Sequence, residues 1–209
     1  MRGRFITVEG VEGAGKSSNL AFIQAFLEAA GKTVVHTREP GGTRLGEEIR
    51  GLLLGHRDDG MAGDTELLLV FAARAEHIHR KVAPALTRGD WVLCDRFTDA
   101  TYAYQGGGRG VPRDRVAAME NWVQGDLRPD LTVLLDVPIE VGLKRAGRRA
   151  ALDRFEQESG AFHERVRAAY LDIARREPQR VRVVDAARSL TQVQQDLAVV
   201  LEDLVSRIP

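Results

Sequence analysis

The fold is decided by the stretch Gly10-Val11-Glu12-Gly13-Ala14-Gly15-Lys16-Ser17, which stands between a predicted strand and a predicted helix. It matches the pattern G-x-x-x-x-G-K-[ST], in which backbone N–H groups and the lysine surround the phosphates of a nucleotide. Residues 5–8 before it (Phe-Ile-Thr-Val) are a short β-branched run typical of a buried strand. After it, Leu20, Ile23 and Leu27 share one face of a helix. This order of strand, glycine loop and helix predicts a nucleotide-phosphate site.

The loop itself is expected to make most of the contacts with the nucleotide. Its glycines let the backbone approach an anion closely, and the N-terminus of the following helix points free N–H donors at it. We expect Lys16 to contact the β- and γ-phosphates and the Ser17 hydroxyl to bind Mg²⁺. The nucleotide contacts predicted from this stretch are Gly10, Val11, Glu12, Gly13, Ala14, Gly15, Lys16, Ser17 and Ser18.

Five short apolar or β-branched runs predict strands, at residues 4–9, 33–37, 91–94, 131–136 and 180–184. Unbroken apolar runs, rather than alternation, are typical of parallel strands buried on both faces. Helical patterns separate the five runs, which predicts an α/β fold with a five-stranded parallel sheet and helices on both faces. No linker or repeat divides the chain, so residues 1–209 are expected to form one domain.

Composition and charge narrow the class of protein. Thirty basic and thirty acidic residues cancel, so the net charge favours neither nucleic acid nor a membrane as partner. The longest apolar run, Leu67–Ala73, is too short to span a bilayer, and Glu9 interrupts the N-terminal apolar run within ten residues, unlike a signal peptide. The single cysteine, Cys94, lies in an apolar run and is expected to be buried. These features predict a cytoplasmic enzyme.

Charged residues follow several of the predicted strands. Arg38-Glu39, Asp95-Arg96 and Asp136 stand where strands end. Ligands of an open parallel sheet bind at the carboxyl ends of its strands, so these side chains are expected beside the phosphate loop. Asp95 is a candidate acid for the bound Mg²⁺; the alternative is that it caps the strand end.

Three arginines on separate elements, Arg50, Arg74 and Arg96, could form a second anion site. A GTPase or ATPase must orient water, whereas a kinase that acts on a monophosphate must hold an acceptor with about two negative charges. Such an acceptor needs positioning and charge neutralisation rather than a general base, and arginine suits both tasks. Phe71, one helical turn before Arg74, could offer a face for a base, with core packing as the equal alternative. The arginines favour a kinase.

A second arginine-rich segment covers about residues 144–158. It contains Arg145, Arg148, Arg149 and Arg154, a density unusual for an exposed helix end. A lid that closes over a transferring phosphoryl group and excludes water would use such charges. A solvated helix face is the alternative.

Over nearly its whole length the sequence resembles the bacterial thymidylate kinases. The phosphate loop alone is shared by many functions, but its combination with Arg-Glu-Pro-Gly-Gly, Asp-Arg-Phe and Ala-Tyr-Gln-Gly in this order is specific. The segments that carry the resemblance are residues 9–17, 37–43, 71–74, 95–97, 103–106 and 153–156.

The resemblance implies a P-loop NTPase fold and transfer of the γ-phosphoryl group of ATP to dTMP, with Mg²⁺, in a homodimer. It implies an acceptor-binding region at about residues 38–80 and a lid at about 144–158. By resemblance, Phe71 stacks on thymine, Arg74 and Gln105 bind its edge, and Thr101 lies nearby. Substrate contacts are expected from Glu12 (to the 3′-hydroxyl), Glu39, Arg50 and Arg96 (to the acceptor phosphate), and catalytic roles from Lys16, Asp95, Arg148, Arg149 and Arg154.

Two alternatives stay open. One is a kinase of another nucleoside monophosphate, such as dUMP or a purine nucleotide. The other is a regulatory GTP-binding switch, although the Asn-Lys-x-Asp stretch that such proteins use to read guanine does not occur here. Some members of the family that the sequence resembles carry a basic residue among the variable loop positions, but none of positions 11–14 is basic here. The resemblance therefore implies that a cation at the transferring phosphate comes from the lid, around Arg149.

Overall fold

The computed structural model describes residues 2–147 and 153–206. One five-stranded sheet has the order β2-β3-β1-β4-β5, and every neighbouring pair is parallel. The strands are β1 (Phe5–Glu9), β2 (Val34–Arg38), β3 (Trp91–Asp95), β4 (Leu131–Asp136) and β5 (Val181–Asp185). The predicted α/β fold is confirmed, and each strand lies within one residue of its predicted bounds.

Helices follow each strand in the part of the chain that the structure describes. They are α1 (Lys16–Ala29), α2 (Arg44–Leu54), α3 (Gly63–His77), α4 (Ala83–Arg88), α5 (Thr98–Thr101), α6 (Arg113–Gln124), α7 (Ile139–Ala146), α8 (Gly160–Arg176) and α9 (Leu190–Ser206). Two π-helical segments, Ile78–Val82 and Tyr102–Gly108, follow α3 and α5. Among the described helices, none is both long enough and apolar enough to cross a membrane.

Helices cover both faces of the sheet. Ile6 packs in the largest cluster of buried side chains, with residues of α1, α8 and α9, whereas its neighbour Phe5 packs in a second cluster with residues of α4. Successive side chains of a strand point to opposite faces, so the two clusters lie on opposite sides. Cys94 belongs to the second cluster and is a free, buried cysteine, as predicted.

The region around Pro84 stays helical although it contains a proline. Leu68, Phe71, Ala75 and Ile78 recur at helical spacing, and a helix with this pattern is expected to bend or end at Pro84. The chain instead stays helical through the π-helical segment Ile78–Val82 into α4. Pro84 lies in the first turn of α4. Proline lacks an N–H and crowds the carbonyl one turn earlier, and the wider π turn accommodates both effects without ending the helix.

Candidate active site

A cavity of about 210 Å³ opens at the carboxyl ends of the central strands. Its wall includes the phosphate loop after β1, Glu39 and Pro40 after β2, and residues 95–97 at the end of β3. Residues of α2, α3, α5 and the Tyr102–Gly108 segment also line it, together with Asp153, Phe155 and Glu156. The strand ends therefore bring the phosphate loop and the predicted acceptor residues other than Phe71 into one space.

The phosphate loop has a backbone that only glycine adopts easily. Gly13 and Gly15 have φ values of 73° and 85°, and Gly15 directly precedes α1. A Cβ atom on Gly13 would lie 2.0 Å from the carbonyl oxygen of Gly142 in α7, so the loop packs tightly against that helix. Lys16 Nζ donates to the Gly10 carbonyl at 3.4 Å. Burial and the nearby Arg96 lower the pKa of Lys16, so a bound anion would favour its charged form.

Two side chains with oxygen atoms of the kind that bind magnesium lie beside the loop. Ser17 and Asp95 both line the cavity, and Asp95 Oδ1 is buried without a hydrogen-bond partner in the described structure. A hydroxyl and one carboxylate suit Mg²⁺, which usually keeps several waters and takes the rest of its ligands from substrate phosphates. No cluster of three or more His, Cys, Asp or Glu side chains that could hold a metal occurs in residues 2–147 and 153–206. The two side chains thus fit Mg²⁺ carried with a nucleotide.

Arg96 and Glu12 form an ion pair at the centre of the cavity. Arg96 Nη2 donates to Glu12 Oε1 at 2.5 Å, and the guanidinium lies 4.7 Å from the centroid of the Tyr104 ring. The Tyr104 hydroxyl donates to the same Glu12 oxygen at 3.1 Å. Burial alone would raise the pKa of Glu12, but Arg96 and Lys16 outweigh it and lower that pKa to about 2. Glu12 is therefore ionised at neutral pH. Its ion pair with Arg96 joins the phosphate loop to the turn after β3.

Arg50 brings a second positive charge to the same cavity. Its Nη1 donates to the Pro40 carbonyl at 2.9 Å. This hydrogen bond holds the Arg50 side chain, which extends from α2, against the turn after β2. Burial lowers the pKa of Arg50, and the positive charges of Arg38 and Arg96 lower it further. Two partly buried guanidinium groups that repel one another have the charge that suits a doubly charged anion.

Arg74 connects three elements at the wall of the cavity. It is 1% exposed and lines the cavity from α3. Its Nε donates to Glu39 Oε2 at 2.7 Å and its Nη2 donates to Thr101 Oγ1 at 3.0 Å. The guanidinium lies between the rings of Phe71 and Phe97, 4.8 and 5.0 Å from their centroids. Its Nη1 is buried without a hydrogen-bond partner in the described structure, so one N–H donor group of the guanidinium is unsatisfied.

Glu39 lines the cavity, but its carboxylate is already used. One oxygen accepts from Arg74, and the other is 2.8 Å from His77 Nδ1, whose Nε2 is 2.7 Å from Thr37 Oγ1. Burial would raise the pKa of Glu39, but Arg74 and His77 outweigh it and lower that pKa. Glu39 therefore orients Arg74 and offers a substrate no oxygen free of a partner. The sequence prediction missed His77, although its position three residues after Arg74 puts it on the same helix face.

Gln105 and Thr101 line the cavity next to Arg74, as predicted. The three glycines that follow, Gly106 to Gly108, would be expected to break a helix, but the π-helical segment continues to Gly108. Gln105 Nε2 donates to Glu66 Oε1 at 2.8 Å, and Glu66 is fully buried.

Comparisons with known proteins identify the family. The family model described as thymidylate kinase matches residues 8–197. The chain belongs to the thymidylate kinase family. Curated thymidylate kinases of Pseudomonas syringae pv. tomato and Alcanivorax borkumensis are each 60% identical to it, over 98% of both chains. The crystal structure of thymidylate kinase from Ehrlichia chaffeensis is similar at a TM-score of 0.77 and 33% identity, and covers 96% of this chain and 99% of the other.

Phe71 does not have the place that the resemblance to this family predicted for it. Its ring is fully buried against Leu67, Val111 and Val116, and it does not line the cavity. Positions four apart share a helix face, so Val70 lines the cavity with Arg74 while Phe71 is rotated into the core. The prediction that Phe71 stacks on the base is wrong.

Arg154 is corrected as well. Its Nη2 donates to Glu66 Oε2 at 2.6 Å and its Nε to the Leu53 carbonyl at 2.9 Å, and it does not line the cavity. The guanidinium thus faces α2 and α3 rather than the phosphate loop. Arg148 and Arg149 lie outside the described residues.

The sequence prediction also missed the polar groups behind the phosphate loop. Glu9, at the end of β1, accepts from the Phe97 N–H and from the Tyr170 hydroxyl, both at 2.7 Å. Burial, with a contribution from Asp99, raises the pKa of Glu9 to about 7. The hydrogen bond from the Phe97 N–H to Glu9 holds the chain that follows Arg96. An acidic residue that ends an otherwise apolar strand was the available signal.

Proposed function

We propose that this member of the thymidylate kinase family transfers the γ-phosphoryl group of ATP to dTMP, which gives dTDP and ADP. The observation that carries the proposal is the cavity itself, since it joins the phosphate loop to a separate pair of arginines, Arg50 and Arg96. One site for the donor phosphates and one for an acceptor phosphate are what transfer between nucleotides requires. A hydrolase would need only the first.

Arg50 and Arg96 hold the acceptor phosphate. The phosphate neutralises their mutual repulsion, and its oxygen is already ionised at neutral pH, so it attacks without a general base. Glu12 keeps Arg96 in place and faces the 3′-hydroxyl of the acceptor sugar. Tyr104 supports both side chains. The chain's task is to position the two phosphates and to balance their charge.

On the base side, Arg74 and Gln105 read the edge of thymine. The Nη1 group of Arg74, which has no partner among the described residues, donates to a carbonyl oxygen of the base. Thr101 accepts from Arg74 and so holds its guanidinium at this edge. Apolar contacts come from Leu53, Val70 and Phe97, which line the same cavity.

Lys16 binds the β- and γ-phosphates of ATP and balances the charge that moves with the phosphoryl group. Ser17 and Asp95 hold Mg²⁺, which neutralises phosphate charge when bound. Arg148 and Arg149, outside the described residues, supply further positive charge from the lid predicted at about residues 144–158. Arg154 acts indirectly in this proposal, through its ion pair with Glu66.

The enzyme works as a homodimer in the cytoplasm, as one domain of residues 1–209. Adjacent helices α2, α3 and α6 carry large exposed apolar side chains, a composition typical of subunit interfaces. These are Leu45, Leu52, Leu68 and Trp122, the last 80% exposed. The buried free thiol of Cys94 is compatible with a reducing compartment.

An acceptor panel tests the proposal. ADP release from ATP is measured with dTMP, dUMP, AMP and GMP and without any acceptor. We expect dTMP to give the highest kcat/KM and hydrolysis without acceptor to be slow. A higher kcat/KM with AMP or GMP would contradict dTMP as substrate, and fast hydrolysis without acceptor would favour a switch or an ATPase.

A further inference from the structure

A buried carboxylate, that of Glu66, lies next to Gln105, which lines the cavity. Glu66, in the first turn of α3, is fully buried. Its Oε1 accepts from Gln105 Nε2 at 2.8 Å, and its Oε2 accepts from Arg154 Nη2 at 2.6 Å. Arg109 Nε also donates to the two oxygens, at 3.4 and 3.3 Å. A buried carboxylate is unfavourable unless such partners replace its water, so this arrangement calls for a role beyond packing.

The charges of the cluster around Glu66 balance. Arg109 Nη1 pairs with Glu158 at 2.5 Å, so two glutamates face two arginines. The guanidinium groups of Arg109 and Arg154 supply the counter-charge of an ionised carboxylate at Glu66. Arg109 and Arg154 also lie over the Phe155 ring, 5.6 and 4.6 Å from its centroid. The position of Glu66 is therefore fixed from several directions.

An ionised carboxylate fixes which way the Gln105 side chain faces. A carboxylate can only accept hydrogen bonds, whereas a carboxamide donates through its nitrogen and accepts through its oxygen. Gln105 must therefore turn Nε2 to Glu66, and Oε1 is held on the side away from it. Because Gln105 lines the cavity, this oxygen presents an acceptor to a ligand there.

Gln105 Oε1 is a hydrogen-bond acceptor, and Arg74 Nη1 is a donor without a partner in the described structure. Both residues line the same cavity, so together they offer a ligand one acceptor and one donor. A pyrimidine with a carbonyl at C4 and a hydrogen on N3 presents the complementary pair, an acceptor beside a donor. A cytosine-type base presents the reverse, an amino donor at C4 beside an acceptor at N3. The direction of the Gln105 carboxamide thus decides which of the two edges fits.

We propose that Glu66 is a positioning residue that holds the Gln105 carboxamide with its oxygen toward the acceptor base, and so selects a base with an N3–H donor over a cytosine-type base. The proposal rests on the proposed function, because it takes the acceptor base to occupy the cavity beside Gln105. Glu66 acts only through Gln105 and touches neither substrate.

The test uses two acceptors with the same sugar, phosphate and methyl group. dTMP and 5-methyl-dCMP differ only at the C4 and N3 edge, so the ratio of their kcat/KM values reports on that edge alone. The ratio is measured for the wild type and for Glu66→Gln, whose amide can accept or donate and leaves Gln105 free to turn. We expect the ratio to fall about tenfold, the factor that one hydrogen bond typically supplies, through a higher KM for dTMP and an unchanged KM for ATP. An unchanged ratio overturns the proposal.

Glu158→Gln is the matched control. It removes the other carboxylate from Arg109 but does not touch Gln105, so its ratio should equal that of the wild type. An equal loss in both variants would assign the effect to the charge of the cluster and overturn the proposal. In a Gln105→Ala background, Glu66→Gln should change the ratio no further, because the two residues act as a unit. A further tenfold loss there also overturns it.

Glu66→Asp covers the case in which Glu66→Gln fails to fold. Aspartate keeps the charge that faces the two arginines but is one methylene too short to hold Gln105, so the ratio should again fall. An unchanged ratio in a folded Glu66→Asp protein contradicts the proposal. Absence of dTMP turnover in the wild type overturns the proposed function together with this inference, whereas dTMP turnover with unchanged ratios in the variants overturns the inference alone.

Discussion

At the scale of single residues, Arg96 shows how the acceptor site is held together. Its φ of 66° is the one positive value at a non-glycine position among the described residues. Such a conformation costs about 1–2 kcal/mol, so it persists only where other contacts compensate. The Arg96 N–H donates to the Val8 carbonyl at 3.0 Å, and its side chain pairs with Glu12. The strained backbone therefore directs the guanidinium into the cavity.

Arg96→Ala should chiefly impair use of the acceptor. The loss of one charged contact to the acceptor phosphate predicts a fall in kcat/KM for dTMP of about 100-fold, with a much smaller change in the KM for ATP. Steady-state kinetics with each substrate varied in turn measure both constants. Arg44→Ala, at an almost fully exposed arginine, is the control. Unchanged dTMP kinetics in Arg96→Ala would refute its assignment.

Glu9 predicts a particular pH dependence of stability. Burial raises its folded pKa to about 7, well above the value of about 4.3 in an unfolded chain. Between these values the folded state binds more protons than the unfolded state, so the free energy of unfolding falls as pH rises from about 5 to 7. Glu9→Gln should flatten this decline. Urea unfolding at pH 5, 6, 7 and 8 measures it, and the same slope in both proteins would rule out this titration.

At the scale of elements, the phosphate loop owes its shape both to glycine conformation and to tight packing. Gly13 and Gly31 have nearly equal φ values, 73° and 75°. A Cβ atom on Gly13 would meet the Gly142 carbonyl at 2.0 Å, whereas one on Gly31 would meet nothing within 4 Å. The two positions therefore separate the cost of conformation from the cost of packing.

Gly31→Ala should lower the free energy of unfolding by about 1 kcal/mol, the cost of positive φ alone. Gly13→Ala carries the same cost and must also move the loop away from α7, so it should be clearly less stable and bind ATP more weakly. Thermal unfolding and ATP titration of both variants measure this. Equal destabilisation with intact ATP binding in Gly13→Ala would show that the contact with Gly142 does not shape the loop.

Features that depend on neighbouring residues could be predicted from the sequence, whereas features that depend on distant residues could not. The strands were predicted well because buried parallel strands are continuous apolar runs, and the residues at their ends follow from parallel topology. The rotation of α3 about its axis was not predicted. Val70 and Phe71 are neighbours in the sequence, and tertiary packing decides which of the two side chains faces the cavity. Arg154 was misplaced and Glu66 was not singled out at all, because the position of each depends on a partner far away in the sequence.

At the scale of the whole molecule, the exposed apolar side chains of α2, α3 and α6 predict self-association. Trp122→Glu and Leu68→Glu each place a charge on this surface and should shift the protein from dimer to monomer without unfolding it. Light scattering after gel filtration measures the mass, and Val199→Glu on α9, exposed but away from these helices, is the control. A wild-type monomer at micromolar concentration would contradict the proposed homodimer.

The central claim is that the chain moves a phosphoryl group from ATP to dTMP and does not release it to water. The most direct measurement follows the label of γ-³²P-ATP in the presence of dTMP and Mg²⁺ by thin-layer chromatography, with Lys16→Ala as the control. We expect the label to appear in dTDP with the wild type and to stay in ATP with Lys16→Ala, because that variant lacks the charge that accompanies the phosphoryl group. Label that appears mainly as inorganic phosphate, or an equal yield of dTDP from Lys16→Ala, would contradict the account.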